Sequence, residues 1–295
     1  MRRLIINADD FGLTSGINRA ILKAHLEGVV TSATLMANAP GFDQAVTTVE
    51  SAPRLGVGCH VVLLDGSSRL QPSQVPTLIE GADSARFYRS SGVFAWRTLT
   101  GRISPAQIEL EAAAQIRSLQ AAGISVTHLD THKHTHILPQ VLRALLRAAK
   151  TCGIRKLRNP FEPLRLSGLF RQPGLWKRWI EFQTLSSFAR SFSDMVKNAG
   201  MITTDGTIGM VATGAWNQKR FQSLIENLPD GTWELVCHPG YNDSELQGLP
   251  TRLQKSRENE LAILTASGTR ELLERNQVGL ISYRDLEKTG QQLAR

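Results

Sequence analysis

The stretch HLDTHKHTH, residues 128–136, carries four of the chain's seven histidines and one aspartate at alternate positions. In extended backbone every second side chain shares a face, so His128, Asp130 and His132 point the same way. Imidazole and carboxylate either hold metals or carry protons. Alternate positions in a strand lie about 6.6–6.8 Å apart, too far for neighbouring histidines of this run to share one ion. At most one of them would then join any one ion, with partners from other elements, and a polar run on a solvated edge is the third reading of the stretch. His134 and His136 fall in the turn that follows, where they suit supporting or substrate contacts. The chain offers Asp9 and Asp10 in NADDFG, His60 in GCHVV, His238 in CHPG and Arg284 in SYRD as further chemistry-bearing positions. Two aspartates and two or three histidines converging on one point make a divalent-metal site. That donor set suits Zn, Fe, Mn or Co, and Mg less well. An acid left off the metal could act as general base and a remaining histidine as general acid.

These residues need a frame. Short apolar, β-branched runs recur at 3–10, 29–38, 55–64, 124–132, 153–160, 233–240 and 278–285, with a weaker one at 201–210. Helical patterns lie between most of them, at 15–28, 104–123, 138–153 and 257–277. Strand–helix alternation along a whole chain implies a parallel sheet with helices packed outside it. Seven or eight such units fit an irregular (β/α) TIM-like barrel; a doubly wound open sheet is the alternative. No Gly-x-Gly-x-x-Gly or phosphate-loop pattern favours a nucleotide site. Barrels gather functional groups at the C-terminal ends of their strands. Asp9-Asp10, Asp130 to His132, His238 and Tyr283 to Asp285 all end predicted strands. Alternation sends His60 and His238 inward and Cys59 and Cys237 to the outer layer. Asp9 and Asp10 can both reach one site if the strand ends there and the chain turns through Gly12.

Bulk properties narrow the classes. A chain of 295 residues with 41% hydrophobic and 20% charged residues is ordinary for a globular protein. Three scattered cysteines make neither a disulfide framework nor a CxxC zinc site. The apolar stretch before Asn7 is too short for a signal-peptide core, and no run is long enough for a membrane span. The expected location is the cytoplasm. The formal charge of +8 has local sources. Residues 143–158 are basic and free of acid. Residues 164–192 mix basic and aromatic side chains around Pro173-Gly174, as a barrel cap, a substrate lid or a membrane-surface helix would. No nucleic-acid-binding motif accompanies the charge. The domain expectation is a single barrel over 1–295 with an irregular helical insertion around 161–200.

The segments IINADDFGLTSGIN, GVGCHVVL, THLDTHKHTHILPQ, ELVCHPGYND and LISYRDL occur in this order. The ordered set resembles the YdjC/ChbG-like carbohydrate deacetylases from about residue 3 to 286. The C-terminal part is similar to the hopanoid-associated HpnK-like branch. The resemblance implies an irregular barrel and metal-dependent removal of N-acetyl groups from amino sugars, either soluble chitooligosaccharides or lipid-linked N-acetylglucosamine. It implies Asp9 as base, Asp10, His60 and His132 as metal ligands, and His238 as the acid that protonates the leaving amine. Asp130, His134 and Arg284 are left to supporting or substrate-binding roles. Lys133-His134 stands where relatives often carry consecutive histidines. The expected cofactor is one divalent ion, Zn or Mg ahead of Mn or Co. The expected partner is the N-acetylated sugar, with contact to the inner membrane surface through 164–192 if that sugar is lipid-linked. A homodimer stays open, and nucleic acid is not expected. Another metal hydrolase on the same barrel, such as a phosphoesterase, and a non-catalytic sugar- or lipid-binding barrel are the alternatives.

Overall fold

The computed structural model describes residues 1–81, 84–163 and 186–286. Its centre is β1 (Arg2–Phe11), which is buried from Leu4 onward. β2 (Ser32–Leu35), β3 (Gly56–Val61), β4 (Leu129–Thr131), β5 (Gly206–Ile208), β6 (Gly231–Cys237) and β7 (Val278–Leu280) complete the described strands. All pair in parallel, six of them in the order β4-β3-β2-β1-β6-β5 and β7 beside β1. Single bridges from Leu129 to Leu157 and from Lys156 to Ile202 carry the curl on beyond β4. The architecture is the expected irregular (β/α) TIM-like barrel, not a doubly wound open sheet.

The helices cover the outside. They include α1 (Ser15–Leu26), α2 (Phe42–Glu50), α3 (Ser91–Leu99), α4 (Pro105–Ala121), α5 (Pro139–Thr151) and α6 (Ala189–Asn198). They continue with α7 (Gln218–Glu226), α8 (Ser244–Gln247), α9 (Lys255–Thr265) and α10 (Ser267–Arg275). The Thr14 hydroxyl accepts the Ile17 N–H at 3.2 Å and starts α1, satisfying one of its free N–H groups. The pattern at 257–277 is two helices, because Ala266 adopts an extended ψ of 135° between α9 and α10. Of the irregular stretch 164–192, residues 164–185 lie outside the described residues. No helix among the described residues is long and apolar enough to cross a membrane.

Two irregularities place the chemistry. Between Ala8 and Phe11, β1 advances three residues while β2 advances two, from Ala33 to Leu35. The extra residue is a bulge, and Asp10 sits in it with φ 63°. A left-handed non-glycine residue costs on the order of 1 kcal/mol or more, and such positions cluster at functional sites. The turn that lets both aspartates face one site is therefore at Asp10 itself, ahead of Gly12.

The second irregularity is β7. It pairs with Arg2–Leu4 at the start of β1, while β2 takes that strand from Asn7 onward. With β2 in the way, the chain after β7 turns across the N-terminal ends of the strands. Tyr283 donates its N–H to Ser32 Oγ at 3.1 Å, and Arg284 places its guanidinium on the Pro53 carbonyl at 2.7 Å. SYRD thus closes the bottom of the barrel and does not join the rim.

Inside the bottom, His128 stacks on Tyr283 with ring centroids 3.7 Å apart and planes 9° from parallel. Gly58 makes room for it: a Cβ there would lie 2.5 Å from the His128 ring. Gly58→Ala should cost about 1–3 kcal/mol as an overpacked core, read as a lower denaturation midpoint in urea. A variant as stable as wild type would mean that His128 moves freely.

Candidate active site

Asp10, His60 and His132 come together at the C-terminal ends of β1, β3 and β4. His60 Nε2 lies 3.3 Å from His132 Nδ1 and 3.6 Å from Asp10 Oδ1, and His132 Nδ1 lies 3.3 Å from that same oxygen. The three offer one ligand atom each to a common point. His60 and Asp10 are buried and His132 is partly open, as a site that admits substrate from one side would be. The remaining atoms of two of these groups are committed. His60 Nδ1 contacts Asp130 Oδ1 at 2.7 Å, which leaves Nε2 to face the cluster. Arg257 Nη2 donates to Asp10 Oδ2 at 2.6 Å and leaves Oδ1 free for the cluster. A carboxylate behind a histidine and a cation behind a carboxylate are how proteins orient metal ligands.

The electrostatics agree with that donor set. Burial alone would lower the His60 imidazole, but Asp130, Asp9 and Asp10 outweigh it and lift its pKa to about 9. Asp10 resists the upward push of burial because Arg257 and His132 hold it well below the usual carboxylate range. The pocket thus stabilises positive charge at the meeting point of three ligand atoms, and the residues fit a divalent ion.

Asp9 sits beside this trio with a different set of partners. Arg158 grips both its oxygens, Nη1 to Oδ2 at 2.8 Å and Nη2 to Oδ1 at 2.7 Å. Asn7 Nδ2 donates to Oδ1 at 2.9 Å. Burial would raise the Asp9 pKa, yet the guanidinium holds it below the ordinary value, so it is a carboxylate at neutral pH. Asp130 shares the same cation, with Arg158 Nη1 at 2.6 Å from its Oδ2.

His238 follows β6 on the inward parity, and its backbone N–H donates to Glu260 Oε2 at 2.6 Å. Burial and Arg257 lower its pKa to about 4, although Asp10 and Asp9 pull it upward. A neutral imidazole thus faces the two aspartates. Glu260, on α9, is pushed by burial to about 7, above the ordinary glutamate value of 4.5. A carboxyl with a raised folded pKa stabilises the fold below its unfolded value, and that contribution disappears as pH rises through the folded one. The protein should therefore lose on the order of 3 kcal/mol between pH 5 and 8 from this group. Glu260→Gln should flatten the profile; calorimetric melts across that range check it, and an unchanged slope would reject it.

The structure does not bring every candidate together. His136 is buried under α6, with Nδ1 2.6 Å from Thr131 Oγ1 and its ring 6.2 Å from that of Phe192. His134 is half-buried in a turn where Lys133 and His134 both take φ 54°. Neither joins the Asp10, His60 and His132 trio. Arg284 lies at the opposite end of the barrel, so the expected rim role does not hold. The residues that sequence reasoning missed are Arg158, Glu234, Arg257 and Glu260, while Tyr283 was noted but expected at the rim. Glu234 was within reach, since 234, 236 and 238 share one strand face and His238 was already assigned inward.

Fold and site together define an α/β-barrel protein with an Asp-His-His cluster suited to a divalent ion. Residues 3–275 match the family model described as YdjC-like protein, and the chain belongs to that family. It is 32% identical over 286 residues to the carbohydrate deacetylase of Brevibacillus brevis, covering 96% of this chain and 99% of that one. It is 35% identical over 289 residues to the carbohydrate deacetylase of Geobacillus stearothermophilus, covering 97% and 99%. A crystal structure from Enterococcus faecalis V583, named for cellobiose-phosphate cleavage, superposes with a TM-score of 0.78 at 26% identity, covering 97% of this chain and 98% of that one.

Proposed function

We propose that the protein is a metal-dependent deacetylase that removes the N-acetyl group from an amino sugar and releases acetate. The coarser part, an enzyme that deacetylates a carbohydrate, is supported by full-length relatives named carbohydrate deacetylase. The observation that carries the finer part is the division of labour between the adjacent aspartates. Asp10 turns one oxygen to His60 and His132, while Asp9 is held apart by Arg158.

Asp10, His60 and His132 would hold the divalent ion, Zn or Mg first. When bound, the ion polarises the acetamide carbonyl and makes water a better nucleophile at neutral pH. Asp9, ionised and fixed in orientation, takes the proton from the attacking water. His238, neutral in the resting site, relays to the departing amine the proton that Asp9 has taken from the water. Asp130 keeps the His60 ring in register. The buried Arg158 balances the two carboxylates it touches, so that charge developing in the transition state meets a prearranged field. A glycosidase would need two carboxylates flanking the scissile bond, whereas Asp9 and Asp130 converge on one guanidinium.

The test is product analysis with N,N′-diacetylchitobiose, an N-acetylglucosaminyl lipid and a sugar phosphate as separate substrates. Acetate with a free amine from either acetylated compound supports the reading, and the preferred one tells a soluble from a lipid-linked substrate. Phosphate release without acetate would replace it by a phosphoesterase.

A further inference from the structure

We propose that Glu234 and Tyr283 are positioning residues for Asp9, acting through Arg158 from the floor of the barrel. The inference rests on the deacetylase reading, because it concerns what holds that reading's base.

Arg158 is fully buried, and a guanidinium has five N–H donors. Four hydrogen bonds and one further ion pair hold it. Nε and one Nη2 hydrogen meet Glu234 Oε1 at 2.9 and 2.7 Å. The other Nη2 hydrogen and one on Nη1 go to Asp9, and Nη1 also lies 2.6 Å from Asp130 Oδ2 as an ion pair. Glu234 thus grips the rear edge of the guanidinium, so the forward fork can meet both Asp9 oxygens in only one orientation. Glu234 is fixed in turn, for its second oxygen accepts the Tyr283 hydroxyl at 2.5 Å.

Tyr283 also roots a second arm. Its ring stacks on His128, His128 Nε2 meets Asn7 Oδ1 at 3.1 Å, and Asn7 Nδ2 donates to Asp9 Oδ1 at 2.9 Å. Both arms end on Asp9. The backbone of Tyr283 is pinned by Ser32 Oγ and by the buried Lys156, whose ammonium donates to the Tyr283 carbonyl at 2.7 Å. A buried ionic cluster is a poor route to stability, since desolvation offsets most of its Coulomb energy. What this cluster supplies is direction: it fixes the plane of one carboxylate from a segment that never reaches the rim. SYRD acquires a role by this route.

Two near-isosteric variants separate positioning from folding. Tyr283→Phe keeps the ring on His128 and removes one hydroxyl; Glu234→Gln keeps the shape and removes the charge. With N,N′-diacetylchitobiose, kcat should fall about 10-fold in the first and about 10- to 100-fold in the second, since misplacing a catalytic group by 1 Å costs up to about 100-fold. KM should stay within about two-fold, because the substrate-facing rim is untouched. Zinc bound per chain, measured on the dialysed protein, should match wild type. Wild-type kcat in both variants would overturn the proposal. So would losses of kcat that only follow losses of bound zinc or of melting temperature. If the wild-type protein releases no acetate, the deacetylase reading fails first, and crystal structures of the variants decide this one. A displaced Arg158 fork supports it, and an unmoved fork on Asp9 overturns it.

Discussion

Asp9→Asn is expected to lower kcat for acetate release by about 10²- to 10⁴-fold, the range general-base catalysis contributes. KM should change little, since Asp9 is 2% exposed and faces Arg158, Asn7 and the interior of the site. The amide keeps the side chain's shape and removes its capacity to take a proton. The variant should fold, because Arg158 retains Asp130 and Glu234 as counter-ions. It should also bind metal as wild type does, because Asp10, His60 and His132 are unaltered. Steady-state kinetics beside metal content read both halves. An Asp9→Asn protein with wild-type kcat would remove Asp9 from the chemistry.

The largest effect on stability is expected from Arg158→Met. The side chain neutralises part of a buried group of Asp9, Asp130 and Glu234, and its removal leaves three carboxylates without that cation. Breaking a buried pair in this way costs about 3–5 kcal/mol, a large share of a domain's total stability. The contribution of Asp9 to the pH dependence should change sign. In wild type the Asp9 pKa is held below the ordinary aspartate value of 3.8, so its contribution is present above that value and is lost as pH falls beneath it. Without the guanidinium, burial dominates and the carboxyls prefer their protonated forms. The variant should therefore gain more stability than wild type between about pH 7 and 5, because Asp9 then adds to the gain that the raised Glu234 and Glu260 carboxyls already give. Urea melts at the two pH values check this. A variant as stable as wild type at pH 7 would mean that the cluster is already neutral.

Much of this was legible in the sequence for a physical reason. Strand parity is a strict code: adjacent residues face opposite ways, and strand ends face the rim. That code sent His60 and His238 inward, and the resemblance to the deacetylases singled out Asp10, His60 and His132, which the structure brings within reach of one point. What could not be read was anything set by tertiary register. LISYRDL reads as one more strand ending at the rim, but β7 pairs with the first residues of β1 and its successor is forced across the floor. Arg158 follows a run that forms only isolated bridges at Lys156 and Leu157, so it counted as one charge in a basic stretch. Arg257 and Glu260 lie on a helix, where an arginine or glutamate is most often solvated. Nothing local marks them as the partners of Asp10 and His238. The bulge at Asp10 needed the β1–β2 register to be seen; the sequence suggested only the flexible Gly12 nearby.

The central claim is that Asp10, His60 and His132 hold a divalent ion required for deacetylation. The most direct measurement strips the full-length protein with chelator, restores Zn, Mg, Mn or Co singly, and follows acetate from N,N′-diacetylchitobiose. The account predicts no acetate from stripped wild-type protein and restored release with at least one metal. It predicts also that His60→Ala neither binds that metal nor recovers. Acetate release that persists unchanged after complete metal removal would contradict it.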